Sequence, residues 1–276
     1  LIKASLVWIT PDCEKAIVYA ARVSSPKSQA AGENNEKLIR YLIRNHHWSP
    51  FELGNACLSI EAPRDIARQL LRHRSCSFQE FSQRYANVSQ IKRDTIIRET
   101  RMQDPKNRQA SLPCFDYELV RAWERRQKAL ADRAIDDYEW AIRNGIAKEC
   151  ARVVLPEGLT PSRLYVNGTI RSWLHYMAVR RDQATTQREH VQLADAIAAA
   201  LRPHIPEIMR AAEKWLSTQS DPEAELTAIR ASLSQAGSMS KTAWNAFSRP
   251  ISALGRYAAG LARSSRAYLA KTFRHR

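Results

Sequence analysis

The sequence predicts an α+β domain, a sheet with helices packed around it, followed by a basic C-terminal helical extension. Three observations lead there. Short apolar runs at residues 6–10 and 51–62 have the length of strands, and several longer segments place apolar residues at helical spacing. The composition, 44% hydrophobic and 26% charged, is that of a soluble globular protein. At 276 residues the chain can bury a full core and still carry an appendage.

In chain order, the apolar run 6–10 reads as a buried strand. Pro11 and Asp12 then open a helix over 13–23, with Ala16, Ile17 and Ala20 on one side. A polar loop, 24–34, precedes a helix over 35–46 in which Leu38, Tyr41 and Leu42 share a face. Trp48-Ser49-Pro50 breaks it, and 51–62 reads as a strand weakened by Gly54 and Asn55. Pro63 suits the first position of a helix over 64–72 that buries Ile66, Ala67, Leu70 and Leu71. A polar strand or loop runs to about residue 113. The longest helix, 115–144, carries a stripe of Val120, Trp123, Leu130, Ala134, Tyr138 and Ala141, and Asn144-Gly145 stops it. Shorter helices follow at 147–155, 169–181 and 186–201, and Pro203 and Pro206 interrupt what comes next.

No apolar run approaches the roughly 20 residues that cross a bilayer, and no secretory pattern opens the chain. It begins at Leu1 rather than Met, consistent with a few absent N-terminal residues or with a non-AUG start translated literally. The five cysteines are scattered and never in a Cys-x-x-Cys pair. That argues against a disulfide framework and a zinc site, and it predicts a reducing, cytoplasmic location without a bound metal. The net charge of +15 is uneven: residues 226–276 hold nine basic side chains and no acidic one, leaving +6 on 1–225. The body is basic to the degree expected of a protein that binds phosphorylated small molecules.

The most informative segment is Arg72-His73-Arg74-Ser75-Cys76-Ser77-Phe78-Gln79-Glu80-Phe81-Ser82-Gln83-Arg84-Tyr85. On the preceding helix Gln69 and Arg72 share a face, so an amide and a guanidinium can together clamp a phosphate or a pyrimidine edge. If 77–85 is extended, a period of two places Phe78, Glu80, Ser82 and Arg84 on one side, joining acceptor, hydroxyl and cation. The competing reading is a solvated polar edge strand preceded by a basic helix end, which is what an isolated Arg-His-Arg would suggest.

Arg72, His73, Arg74, Ser77, Glu80, Ser82, Arg84 and Tyr85 together closely resemble the defining motif of the flavin-dependent thymidylate synthases. Further resemblance lies, in the family's order, at 20–24, 47–52, 151–156, 167–175, Arg180 and 187–190, covering about residues 1–215. The resemblance implies a catalytic domain over 1–216 with an antiparallel or mixed sheet, and an extension over 217–276. It implies a homotetrameric methyltransferase in nucleotide biosynthesis. The reaction moves a one-carbon unit from methylenetetrahydrofolate to dUMP, giving dTMP, with FAD relaying electrons from NADPH.

Carried over by position, the resemblance implies nucleotide contacts from Gln69, Arg72, Glu80, Ser82, Arg84, Arg152 and Arg180. It implies flavin contacts from Ser49, Arg72, His73, Arg74, Glu80, Thr169, Arg171 and His175. Arg180, Ser82 and His47 are the residues expected at the reacting centre: Arg180 stabilises an ionised uracil ring, and His47 helps shape the folate or flavin entrance. Arg171 and Arg180 are nine residues apart, about 180° around an unbroken helix. Either the sites lie between subunits, with one helix serving two of them, or the helix ends before Arg180. Ser49 and Gln79 stand where Thr and Asn are common in the family, Leu53 replaces a frequent His, and His175 stands where some members have Asn. The stretch from Arg180 to Gln187 is one residue longer than in some members.

Two other readings compete. Cys76, flanked by cations, is a candidate nucleophilic thiol of the kind used by flavin-independent thymidylate synthases. A nucleic-acid-binding protein without synthase activity would suit a pI of 9.9, although the body lacks interleaved aromatic and basic positions. In the extension, Trp244, Phe247, Ile251, Leu254, Ala258, Leu261 and Tyr268 recur at three- and four-residue steps, with Arg249, Arg256 and Arg263 every seven. Such a basic amphipathic pattern suits contact with nucleic acid or an anionic membrane, docking on the body, or a poorly ordered extension.

Overall fold

A computed structural model of the protein describes residues 2–31, 35–86, 96–182 and 185–219. The chain divides into two compact units, Leu1–Ala212 and Glu213–Arg276. Of the second, only residues 213–219 are described, so the amphipathic pattern of the extension lies outside the described residues.

The elements in order are β1 (Lys3–Ile9), α1 (Cys13–Ala21), α2 (Pro26–Ala31), α3 (Asn35–Arg44), β2 (Asn55–Pro63), α4 (Arg64–Leu70) and β3 (Cys76–Glu80). A small hairpin follows, β4 (Arg101–Gln103) and β5 (Ser111–Pro113), then α5 (Tyr117–Arg143) and α6 (Lys148–Ala151). The chain continues with β6 (Pro161–Thr169), α7 (Ile170–Arg180), α8 (Arg188–Leu201) and α9 (Pro206–Gln219). Four strands form one antiparallel sheet in the order β1-β2-β6-β3.

Register decides which side chains meet the helices. Leu6 pairs with Leu58, Leu58 with Val166, and Val166 with Phe78, while Ile60, Leu164 and Glu80 form the next row. Directly opposed residues share a face, so these rows lie on one side, where Leu58, Ile60, Leu164 and Val166 are fully buried. The other side is solvated: Tyr165 is exposed, and Arg163 donates to Glu61 at 2.6 Å. Helices α4, α7 and α8 supply Ile66, Leu70, Trp173, Ile197 and Leu201 to the core. Each such burial contributes about 1.5–3 kcal/mol.

The fold is the expected α+β class, with helices packed on an antiparallel sheet. Several elements differ locally from the sequence reading. The loop at 24–34 contains α2, and the strand expected from residue 51 begins at Asn55, because Ser49–Glu52 closes a 3-10 turn. The helix expected at 147–155 is α6 followed by a 3-10 turn at Arg152–Val154. Strand β6, bonded on both edges, was not anticipated at all. In α5 the buried positions are Gln127, Ala131, Ala134, Tyr138 and Ala141, whereas Trp123 and Leu130 are 47% and 56% exposed. Asn144 is the C-cap of α5, and Gly145 follows it with φ 77°, a conformation that favours glycine.

Among the described residues no helix is long and apolar enough to cross a membrane. None of their His, Cys, Asp and Glu side chains are grouped to hold a metal ion.

Candidate active site

The motif begins where α4 unwinds. The N–H groups of Arg72 and His73 bond back to the carbonyls of Gln69 and Leu70, and Cys76 N–H bonds to His73 O, so the chain turns sharply before entering β3. That turn sends alternate side chains to opposite sides. Arg72 and Arg74 are exposed, while the half-buried His73 ring packs edge-on to Tyr176 at 5.4 Å, and its Nε2 lies 3.1 Å from the Ser172 carbonyl. Ser172 Oγ in turn donates to Ser75 O at 3.1 Å. The motif is therefore sewn to α7 at two points.

Arg72 and Arg74 have no side-chain partner among the described residues, and neither Arg152 nor Arg180 makes an ion pair there. These four cations are free to meet an anion. Others are already paired: Arg84 Nε lies 3.2 Å from Glu149, and Arg171 bonds Glu52.

The extended run ends at Glu80, which corrects the expectation that 77–85 forms one strand. Tyr85 and Ala86 N–H both return to Ser82 O, and Ser82 Oγ accepts from Arg84 N–H at 3.3 Å, a tight turn that takes Ser82 and Arg84 out of the strand's alternation. Glu80 stays on the core face of the sheet. It accepts from Ser162 Oγ at 2.8 Å and from Arg68 at 3.2 Å, with Arg64 at 3.5 Å. Arg68 also bonds Glu157 at 3.0 Å. Beside this cluster lies an open cleft of about 390 Å³ lined by Arg64, Arg68, Gln83, Glu149, Arg152 and Glu157. Gln83 is buried there with its Nε2 unpartnered.

A second group of expected residues meets around the start of α7. Thr169 caps the helix, accepting from Ser172 N–H at 3.1 Å. His175 packs edge-on to Trp48 at 5.0 Å, and its Nε2 is buried without a partner. Burial lowers the His175 pKa, helped by the positive charge of Arg171 and by His73 and His46. Ser49 opens the 3-10 turn, and the exposed His47 ring packs against Tyr41 at 5.6 Å.

Helix α7 runs unbroken from Ile170 to Arg180, so the reading in which it stops before Arg180 is overturned. Arg171 points to Glu52, while Arg180 acts electrostatically on Tyr176 and His190. The protomer thus joins Ser49, His73, Thr169, Arg171 and His175 in one region, and Glu80 and Arg152 in or beside the cleft. Gln69 lies on the His190 side, as does Arg180.

The surroundings of Cys76 disfavour a nucleophilic thiol. This cysteine shares the core face with Phe78 and Glu80, and burial pushes its thiol up to about 11, so it is protonated at neutral pH. Sequence reasoning missed Arg64, Arg68 and Ser162 as the partners of Glu80, and Glu157 as the second carboxylate on those arginines. The spacing of Arg64 and Arg68 on one helical face was the available signal.

A family model described as thymidylate synthase complementing protein matches residues 5–207. The chain is 45% identical over 200 residues to a flavin-dependent thymidylate synthase of Synechocystis, covering 72% of this chain and 89% of that protein. It is 42% identical over 203 residues to a probable flavin-dependent thymidylate synthase of Paramecium bursaria Chlorella virus 1, covering 74% and 91%. Among solved structures it resembles a UMP/dUMP methylase, PolB from Streptomyces cacaoi, bound with 5-Br dUMP. That likeness has a TM-score of 0.64 at 29% identity, over 76% of this chain and 94% of PolB. Fold, motif and relatives together define an enzyme, and the chain belongs to the flavin-dependent thymidylate synthase family.

Proposed function

We propose that the protein converts dUMP to dTMP with FAD, taking its one-carbon unit from methylenetetrahydrofolate and its reducing power from NADPH. It works as a homotetramer in the cytoplasm. The observation that carries this reading is the unpaired guanidinium pair, Arg72 and Arg74, flanking an inward His73 that ties the motif to α7. A dinucleotide with a diphosphate needs cations not already committed to carboxylates, and these two satisfy that. The buried, partnerless Nε2 of His175 beside Trp48 offers a further polar contact. The residues present fit FAD, with Ser49, Arg72, His73, Arg74, Glu80, Thr169, Arg171 and His175 as its holders. Bound, the flavin supplies the electron transfer.

The nucleotide is held by Gln69, Arg72, Glu80, Ser82, Arg84 and Arg152. Glu80 is already oriented by Ser162 and its two arginines, so its carboxylate needs little reorganisation to accept from a sugar hydroxyl. Arg84 exchanges its half-exposed partner Glu149 for the phosphate, a swap that costs little because exposed pairs contribute only about 0–1 kcal/mol. Arg180 places a fixed positive charge where the pyrimidine ring becomes anionic.

The placement of Arg171 and Arg180 on opposite sides of α7 supports sites shared between subunits. The unpaired state of all five cysteines suits a reducing compartment. Tritium release from dUMP labelled at carbon 5, with FAD, NADPH and methylenetetrahydrofolate, is the direct test. Purified protein is expected to be yellow and to release tritium; colourless protein without release would contradict the proposal.

A further inference from the structure

His190 is the most deeply enclosed imidazole of the described residues, with 0% exposure, and nothing above gives it a task. Gln187 and His190 stand three residues apart at the start of α8, and both reach Gln69 on α4. Gln69 Nε2 donates to Gln187 Oε1 at 2.7 Å, and His190 Nδ1 lies 3.0 Å from Gln69 Oε1.

Two arrangements of these amides satisfy the same distances, and they differ in where the imidazole proton sits. With the proton on Nδ1, His190 donates to Gln69 Oε1. With both amides flipped, Gln69 donates to Nδ1 and the proton moves to Nε2. His190 Nε2 is buried and has no hydrogen-bond partner among the described residues. A proton there would be a stranded buried donor, costing about 1–3 kcal/mol, whereas a bare nitrogen is better tolerated. Burial, reinforced by the nearby Arg180 and His73, disfavours a second proton on the ring. The neutral Nδ1–H tautomer therefore fixes the direction of the Gln69 amide. One N–H of Gln69 Nε2 is left uncommitted.

We propose that His190 is a positioning residue for the nucleotide, holding Gln69 so that its free amide N–H donates to an oxygen of bound dUMP. The inference rests on the assignment of Gln69 to the nucleotide site. It predicts that what matters is a donor at the Nδ1 position.

The test uses the full-length, FAD-loaded protein and measures dUMP affinity by titration of the flavin absorbance. His190→Asn keeps an amide donor near the Nδ1 position, His190→Gln moves it toward Nε2, and His190→Leu removes it. Expected are near wild-type affinity for His190→Asn and about ten-fold weaker binding for His190→Gln and His190→Leu, the scale of one lost hydrogen bond, with unchanged FAD content. In a Gln69→Ala background, His190→Gln should have no further effect. Equal losses for Asn and Gln, no loss in any variant, or an undiminished loss in the Gln69→Ala background would overturn the proposal. Should His190→Leu fail to fold, the comparison of Asn with Gln still decides. Wild-type protein that binds no dUMP would instead overturn the functional reading on which this one rests.

Discussion

Arg180 and Cys76 were both candidates for the chemistry, and their surroundings separate them. Arg180 ends α7 without an ion-pair partner among the described residues, beside a buried tyrosine whose hydroxyl burial pushes well above its ordinary value. Arg180→Ala is expected to lower tritium release by at least about 100-fold, the scale of losing one charge-stabilising donor, while FAD stays bound; near-normal release would remove the assigned role. Cys76 is a protonated thiol wedged against the sheet, where a Cβ on Gly168 would approach its Sγ to 2.8 Å. Cys76→Ser should keep tritium release within about three-fold of wild type, since the thiol reacts only as thiolate. A complete loss in correctly folded protein would reinstate the thiol.

At the scale of elements, α8 holds together pieces far apart in sequence. Glu189 is 8% exposed and takes two hydrogen bonds from Arg101, at 2.7 and 2.8 Å, while Arg98 reaches both Glu189 and Asp65. Burial alone would raise the Glu189 pKa, but Arg101, with Arg98, outweighs it and holds the carboxyl below its ordinary value. Glu189 thus contributes stability above the usual glutamate pKa of about 4.3 and loses it as pH falls further. His190 adds a second window: burial, reinforced by Arg180 and His73, lowers its pKa to about 4. The unfolded chain takes up a proton below about pH 6.5 that the folded chain refuses until about pH 4, so stability falls as pH drops across that interval. Denaturant titrations should show on the order of 3 kcal/mol lost there, and His190→Asn should abolish that component. Arg101→Met, which leaves the buried Glu189 carboxylate with Arg98 alone, is expected to cost about 3 kcal/mol.

The same elements show what the sequence could and could not reveal. The extent of helix α5 was legible because Asn144-Gly145 marks its end, although its apolar stripe wrongly took in Trp123 and Leu130. The eight-position motif located Glu80 and Arg72 without any fold. Strand β6 escaped because Asn167-Gly168 reads as a turn, whereas Gly168 is there to admit the Cys76 sulfur. The break after Glu80 was hidden because alternation in a polar run looks the same whether or not the chain stays extended. The partners of Glu80 lie 12 and 16 residues before it and 82 after it, a proximity that only the packed sheet creates.

For the whole molecule, α5 is the unfinished surface. Trp123, Leu130 and Trp140 are 47%, 56% and 57% exposed on the helix that buries Tyr138 and Ala141 beside Ala151. A homotetramer would cover them, so Leu130→Glu is expected to lower the mass seen by light scattering and to reduce tritium release with it. An unchanged tetramer would exclude this face from the interface. All proposed site residues fall within residues 1–212, and removal of 226–276 is expected to leave turnover largely intact. A truncated protein that binds FAD but has lost turnover would contradict that.

The position of β3 has a consequence of its own. Among the described residues it pairs with β6 alone, so it can open without disturbing the other three strands. Deuterium uptake at residues 76–80 should therefore outpace uptake at 161–169 in the empty protein and slow markedly once FAD and dUMP are present. The ligand-gathering ribbon is the part of the sheet best able to settle around its cargo.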